Sequence, residues 1–211
     1  ADGPLRVLQL RRRRHLPGGD DRAGRGRDRR DLRGREQLIF TFALGSRRQY
    51  DFIHRNPRAQ SHPVDHTNLP QNLMQNERVV SINSTAEIDL QGQAASESAG
   101  HRHLTGTGEQ FQFVRGASAS RGGKSSICLP STYERNGARR GRIVSTLTPG
   151  NVVTTPRTDV MYVVTEHGLV CLKGKSVAGR ARALIGIAHP DFREPLGREA
   201  REKQLLPRGF L

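Results

Sequence analysis

Near residue 37 the chain changes character, and that boundary limits what can fold. Residues 1–36 hold 12 Arg against five Asp and one Glu, a net of +6, including the run Arg11-Arg12-Arg13-Arg14. Apart from Leu5, Val7, Leu8 and Leu10 the stretch has little to bury. So polar a segment cannot offset its ordering entropy by burial, and residues 1–37 are expected to form a disordered, Arg-rich arm. From Leu38 the run LIFTFAL (38–44), closed by Gly45, carries the mark of a buried strand. The folded body is therefore sought in residues 38–211, one ordinary domain's worth of chain.

Within that body, short β-branched runs bounded by Gly, Pro, Asn or Ser recur at 79–82, 126–129, 142–144, 151–154 and 160–164. Several lack polar alternation, as do strands covered on both faces. A short helix is expected from Arg47 to His54. A longer one runs from Val177 to Ala188, with Ser176 as N-cap and Val177, Ala181, Leu184, Ile185 and Ala188 on its apolar face, ended by Pro190. Strands dominate, with helices between and after them, so the fold class is α/β.

The whole chain carries 35 Lys+Arg against 20 Asp+Glu, formally +15, but only 34% hydrophobic residues and no Trp. Such an excess invites a phosphate-binding reading. No aromatic side chain interleaves with the arginines of the arm, so it lacks the stacking platform of single-strand binders. A solvated tail is the preferred reading, and a nucleic-acid partner is not expected. No run of about 18 apolar residues argues for a membrane span. No apolar segment follows a basic one at the start, which reads against a secretory signal. Cys128 and Cys171 are too few for a disulfide scaffold or a thiolate zinc site. Together these features place the chain among cytoplasmic proteins.

Gly122-Gly123-Lys124-Ser125 imitates a phosphate-binding loop. The first glycine of that motif would fall at position 118, which is Ser118, and a strand rather than a helix follows Lys124. Thr105-Gly106-Thr107-Gly108-Glu109-Gln110 could bring bare backbone N–H groups close to an oxyanion, or be an ordinary turn between strands. His101 and His103 have no thiolate nearby and carboxylates only at Glu97 and Glu109, so no metal site is assigned. Glu166 follows the strongest strand run, and Asn83 follows another; strand ends of this kind are where α/β folds hold ligands. Ser131 and Cys128 lack the partners of a catalytic triad or dyad and are not assigned as nucleophiles.

Taken together, FALGSRRQYDFI (42–53), HPVDHTN (62–68), VVSINSTAEIDLQGQ (79–93), TGTGEQFQFVRGA (105–117), GGKSSICLPST (122–132), TTPRTDV (154–160), YVVTEHGLVCLKGKS (162–176) and RARALIGIAHPDFRE (180–194) resemble the C-terminal half of the acetyl-CoA hydrolase/transferase family. That family includes 4-hydroxybutyrate and butyryl-CoA:acetate CoA-transferases. The resemblance covers about three quarters of the chain and places residues 38–211 in a CoA-transferase-like α/β domain of the NagB/RpiA/CoA-transferase type.

It implies transfer of CoA between short-chain acids such as acetate, butyrate and 4-hydroxybutyrate through a glutamyl-CoA intermediate, with acyl-CoA and carboxylate substrates. It implies no cofactor beyond coenzyme A itself, and it suggests a homo-oligomer. An acetyl-CoA hydrolase and an inactive CoA-binding remnant are the alternatives. By motif, Gly106 and Gly108 correspond to a glycine loop that donates backbone N–H groups near the thioester. Asn83 corresponds to a residue near the bound thioester, and Glu166 to a second carboxylate close to the nucleophile. Lys124, in the GGK segment, is expected to contact CoA phosphates.

The resemblance is incomplete. Glu109 stands where the family pattern has the second of two paired glycines, and Gln112 where it has Asp. The family's nucleophilic Glu lies roughly thirty residues upstream of the position held by Phe42, an offset belonging to the family and to no general motif rule. That region is here the Arg-rich arm, which contains no matching segment, and Glu36 is too close to serve. The abrupt loss of resemblance reads as an out-of-frame translation of GC-rich coding sequence or a truncated gene.

Overall fold

The computed structural model describes residues 38–207. The expectation for the arm, residues 1–37, lies outside the described residues. In chain order the strands are β1 (Leu38–Phe40), β2 (Ala59–Ser61), β3 (Val80–Ser84), β4 (Glu87–Asp89), β5 (Ala94–Ala95), β6 (Ser98–Ala99), β7 (Arg102–His103), β8 (Lys124–Cys128), β9 (Thr132–Arg135), β10 (Ala138–Gly141), β11 (Ile143–Val144), β12 (Tyr162–Thr165) and β13 (Gly168–Cys171). The helices are α1 (Arg47–Ile53), α2 (Val64–Thr67), α3 (Pro70–Leu73), α4 (Gln110–Ala119), α5 (Val177–Gly186) and α6 (Pro190–Glu202).

The central element is a four-stranded sheet of order β13-β12-β8-β3. β3, β8 and β12 run parallel, and β13 returns antiparallel beside β12. Parallel neighbours need a crossover, and α4 supplies the one between β3 and β8. A second sheet, β11-β4-β5, packs beneath, and β9 and β10 form a hairpin. The core joins Val114 of α4, Ile127 of β8 and Val163 of β12 to Ala181 and Leu184 of α5, Leu196 and Ala200 of α6, and Ile88 and Ile143 of the second sheet. This is the expected α/β class.

α5 starts where the sequence places it, with Ser176 Oγ accepting from the Gly179 N–H at 3.2 Å. The α1 expectation also holds, with His54 as its C-cap. Three local expectations are corrected. The 38–44 run is a strand only to Phe40. The 151–154 run forms no strand; Ala94 and Thr155 make a single isolated bridge there. Pro190 does more than stop a helix: it occupies the first turn of α6, where a missing N–H costs nothing.

The glycine pair Gly122-Gly123 lies between α4 and β8. That order, helix then turn then strand, is the reverse of a phosphate-binding loop. Gly92 closes the β4–β5 turn at φ +94°, and a Cβ there would meet Arg180 Nη1 and Leu172 Cδ1 at 3.0 Å each. Buried Asp89 ties the same turn by accepting from the N–H groups of Gln91 and Gln93 and from Gln93 Nε2 at 2.6 Å.

Candidate active site

Because β3, β8 and β12 are parallel, their carboxyl ends gather at one edge of the sheet, where open α/β folds hold ligands. That edge carries Asn83 on β3, the segment 129–131 after β8, and Glu166 after β12. α4 crosses from β3 to β8, so its amino end, and the loop 104–109 leading into it, return to the same edge. Four of the five site residues read from the sequence, Asn83, Gly106, Gly108 and Glu166, are thus at one end of the sheet.

Lys124 is not with them. It opens β8 at the amino end, and the five-residue strand puts about 13 Å of backbone between it and Cys128.

Glu166 is held rather than free. Ser131 N–H donates to both carboxylate oxygens, at 2.9 and 3.2 Å, and Ser131 Oγ donates to Oε1 at 2.5 Å. His167 Nε2 stands 3.6 Å from the same oxygen. The His167 ring meets His189 edge-on at 5.3 Å between centroids. Partial burial works against the charge, but the Ser131 hydroxyl, the backbone donors and His167 outweigh it and hold the carboxyl below its ordinary value. The result is an ionised carboxylate, its side chain 51% exposed, anchored at the edge of the sheet.

Asn83 Nδ2 is shielded from solvent and has no hydrogen-bond partner, an unpaired buried donor at the end of β3. Gly106 and Gly108 lie in open space, with Gly108 at φ +60°, a backbone state that glycine adopts without strain. The loop is fixed at its start by the Glu97 carbonyl, which accepts from the N–H groups of Leu104 and Thr105 at 2.7 and 3.3 Å. Gln110, at the head of α4, donates through Nε2 to Thr155 Oγ1 at 3.0 Å. The loop therefore enters a helix, not the strand of an ordinary hairpin turn.

Ser131 was passed over in the sequence as a nucleophile, and its use is different: it clamps Glu166 across 35 residues of chain. Nothing in local spacing signals that contact, which follows from β8 and β12 being neighbours. Cys128 stays a thiol, because burial pushes its pKa up. His101 sits in the turn between β6 and β7, against Gly150. Among the described residues no three His, Cys, Asp or Glu side chains are grouped to hold a metal ion. Among those residues, too, no helix is long and apolar enough to cross a membrane.

An anchored carboxylate, a buried amide donor and an open glycine loop at the carboxyl edge of a parallel sheet make a ligand-binding edge of the α/β class. The particular family follows from comparison. Residues 45–200 match the acetyl-CoA hydrolase/transferase C-terminal domain, and the chain belongs to that family. It is 53% identical over 165 residues to the succinyl-CoA:cyclohexane-1-carboxylate CoA transferase of Geobacter metallireducens, covering 78% of this chain and 37% of that one. It is 46% identical to the 4-hydroxybutyrate coenzyme A transferase of Clostridium kluyveri, covering 79% and 38%. The crystal structure of RipA from Yersinia pestis superposes with a TM-score of 0.73 at 44% identity, covering 84% of this chain and 39% of that one. The chain thus spans under two fifths of the length of these relatives.

Proposed function

We propose that this chain carries the C-terminal share of an acyl-CoA:carboxylate CoA-transferase site acting on short-chain acids. The observation that carries the reading is Glu166, kept ionised by Ser131 at the sheet edge shared with Asn83 and the Gly106–Gly108 loop.

The reaction begins with a glutamate nucleophile, which this reading places outside the described residues. Its carboxylate attacks the thioester carbonyl, and the C–S bond breaks to release CoA thiolate and leave an acyl-glutamyl anhydride. The thiolate then attacks the glutamyl carbonyl, giving glutamyl-CoA and freeing the first acid. The acceptor carboxylate repeats the two steps in reverse order and leaves as its CoA ester. Each tetrahedral intermediate carries an oxyanion, and the N–H groups of the Gly106–Gly108 loop, with Asn83 Nδ2, are the donors that stabilise it. By its family correspondence Glu166 is the second carboxylate of the site, and its charge opposes rebinding of carboxylate and thiolate products. Lys124, remote from this edge, is assigned only to the phosphate end of CoA, where a cation is favourable.

A second reading has its own observation. Glu36 is the one glutamate before Phe42, and no family-like nucleophile segment surrounds it. On that reading the chain binds CoA and does not turn over.

The test is CoA transfer from butyryl-CoA to acetate by the purified 211-residue chain, read alongside butyryl-CoA binding. Turnover, with a glutamyl-CoA adduct found by mass, supports the first reading. Binding without turnover that gains turnover when the preceding portion of the Geobacter metallireducens relative is added also supports the first; binding that stays without turnover supports the second, and absence of both removes the two together.

A further inference from the structure

The end of the sheet opposite the carboxyl edge has a cleft of its own. β13 runs antiparallel to β12 and pairs Cys171 with Tyr162, so the residues just after β13 lie beside those just before β12. α4 crosses from the carboxyl end of β3 to the amino end of β8, so its last turns reach that same end. Between them lies a cleft of about 380 Å³, walled by the second half of α4, by residues 158–161 and by Lys173. That volume falls within the roughly 300–1,000 Å³ of small-molecule pockets. The length of β12, about 10 Å of backbone, separates it from the Glu166 edge.

Arg115 is oriented in this cleft by two contacts. Its Nε donates to Asp159 Oδ1 at 2.8 Å, and its Cζ stands 4.6 Å from the ring centroid of Phe111, one turn earlier on α4. Asp159 is itself held. Its Oδ2 accepts from Thr158 Oγ1 at 2.8 Å, and its side chain is only 14% exposed. With Nε engaged and an aromatic ring against one face, the guanidinium plane is fixed. Both of its Nη groups nevertheless make no hydrogen bond to any described residue. Lys173 is exposed, and its ammonium has no partner among the described residues.

Charge and shape together select the ligand. Two cations, Arg115 and Lys173, against the one carboxylate of Asp159 leave the lining at a formal +1, which suits a monoanion better than a dianion. A fixed guanidinium with free Nη groups matches the paired oxygens of a carboxylate. Pro70, Ala119, Val160 and Met161 give the rest of the wall carbon surface, which suits a short aliphatic body. We propose that this cleft is a second ligand site, separate from the carboxyl edge, that binds a short-chain aliphatic monocarboxylate through Arg115 and Lys173. An inorganic anion satisfies the cations but leaves the carbon wall empty, and an alcohol of the same chain length does the reverse. The inference goes beyond the CoA-transfer reading and does not depend on turnover.

The test titrates the 211-residue chain with butyrate at constant ionic strength and follows backbone amide shifts, with inorganic phosphate and 1-butanol as the comparison ligands. The expected result is saturable binding at millimolar butyrate, with the largest shifts in 115–119, 158–161 and at Lys173, and weaker binding of both comparison ligands. Lys173→Met keeps the aliphatic stem and loses the charge. Arg115→Lys keeps the charge opposite Asp159 and loses the fork. Each should weaken butyrate about fivefold or more while the melting temperature of Lys173→Met, altered only at an exposed tip, stays that of the unmodified chain. Butyrate bound at the carboxyl edge would register separately, at Asn83, Gly106 and Glu166. Four outcomes overturn the proposal: shifts around the cleft that rise without saturating, phosphate or butanol binding there as tightly as butyrate, both variants binding like the native chain, or free CoA displacing butyrate from the cleft, which would make it part of the thioester site.

Discussion

Replacing Ser131 by Ala removes the hydroxyl that donates to Glu166 Oε1 at 2.5 Å and leaves the Ser131 N–H donating at 2.9 and 3.2 Å. A hydrogen bond to a charged group contributes about 1.5–3 kcal/mol when shielded. The Glu166 side chain is 51% exposed, so solvent competes and the expected loss is about 1 kcal/mol, or about 2–4 °C in melting temperature for a domain of this size. The pH dependence is more telling than the magnitude. Glu166 titrates lower in the folded chain than in the unfolded one. Its contribution is therefore fully present above the ordinary carboxylate range and is lost as pH falls through the folded value. Urea unfolding of the native chain and of Ser131→Ala, from neutral pH down to about pH 3, should show a stability gap that closes on acidification. A gap that is constant across this range, or that widens in acid, refutes the assignment of Ser131 as the anchor of an ionised Glu166.

Three further outcomes follow from the same structure. Leu184→Ala, at a fully buried position of α5, should lower stability by about 2–5 kcal/mol in chemical denaturation. Gly92→Ala forces a Cβ to φ +94° against Arg180 and Leu172, and should cost about 1–3 kcal/mol by the same assay. Glu87→Ala strands three donors at the 148–151 turn, namely Thr148 N, Thr148 Oγ1 and Asn151 Nδ2, now at 2.6, 2.8 and 2.7 Å from the carboxylate. It should cost about 2–4 kcal/mol and speed amide exchange around Thr148.

Much of the fold was legible because it rests on local signals. The Ser176 cap and the spacing of Ala181 and Leu184 fix α5 without tertiary help. Short apolar runs within 79–82, 126–129 and 160–164 mark β3, β8 and β12. The misreadings have physical causes. α6 contains Pro190, Pro195 and many charges, so its burial of Leu196 and Ala200 is hidden from composition. The 151–154 run is β-branched but held by side chains rather than a ladder: Thr154 Oγ1 accepts from Ser96 N–H at 2.9 Å, and Ser98 Oγ accepts from Val152 N–H at 2.8 Å.

Of the site, Glu166 and Asn83 were readable as polar residues ending apolar strands. Ser131 was not, because its role depends on strand order. Lys124 drew attention through its glycines, yet the strand it opens carries it away from the carboxyl-end group.

The central claim, that the carboxyl edge of the sheet is a thioester site, is tested most directly by titrating the 211-residue chain with butyryl-CoA and following backbone amide shifts. The expected result is saturable binding with the largest shifts at Asn83, Gly106, Gly108 and Glu166, and loss of those shifts in Asn83→Ala. Absence of binding, or shifts confined to the amino end of β8 around Lys124, would contradict it.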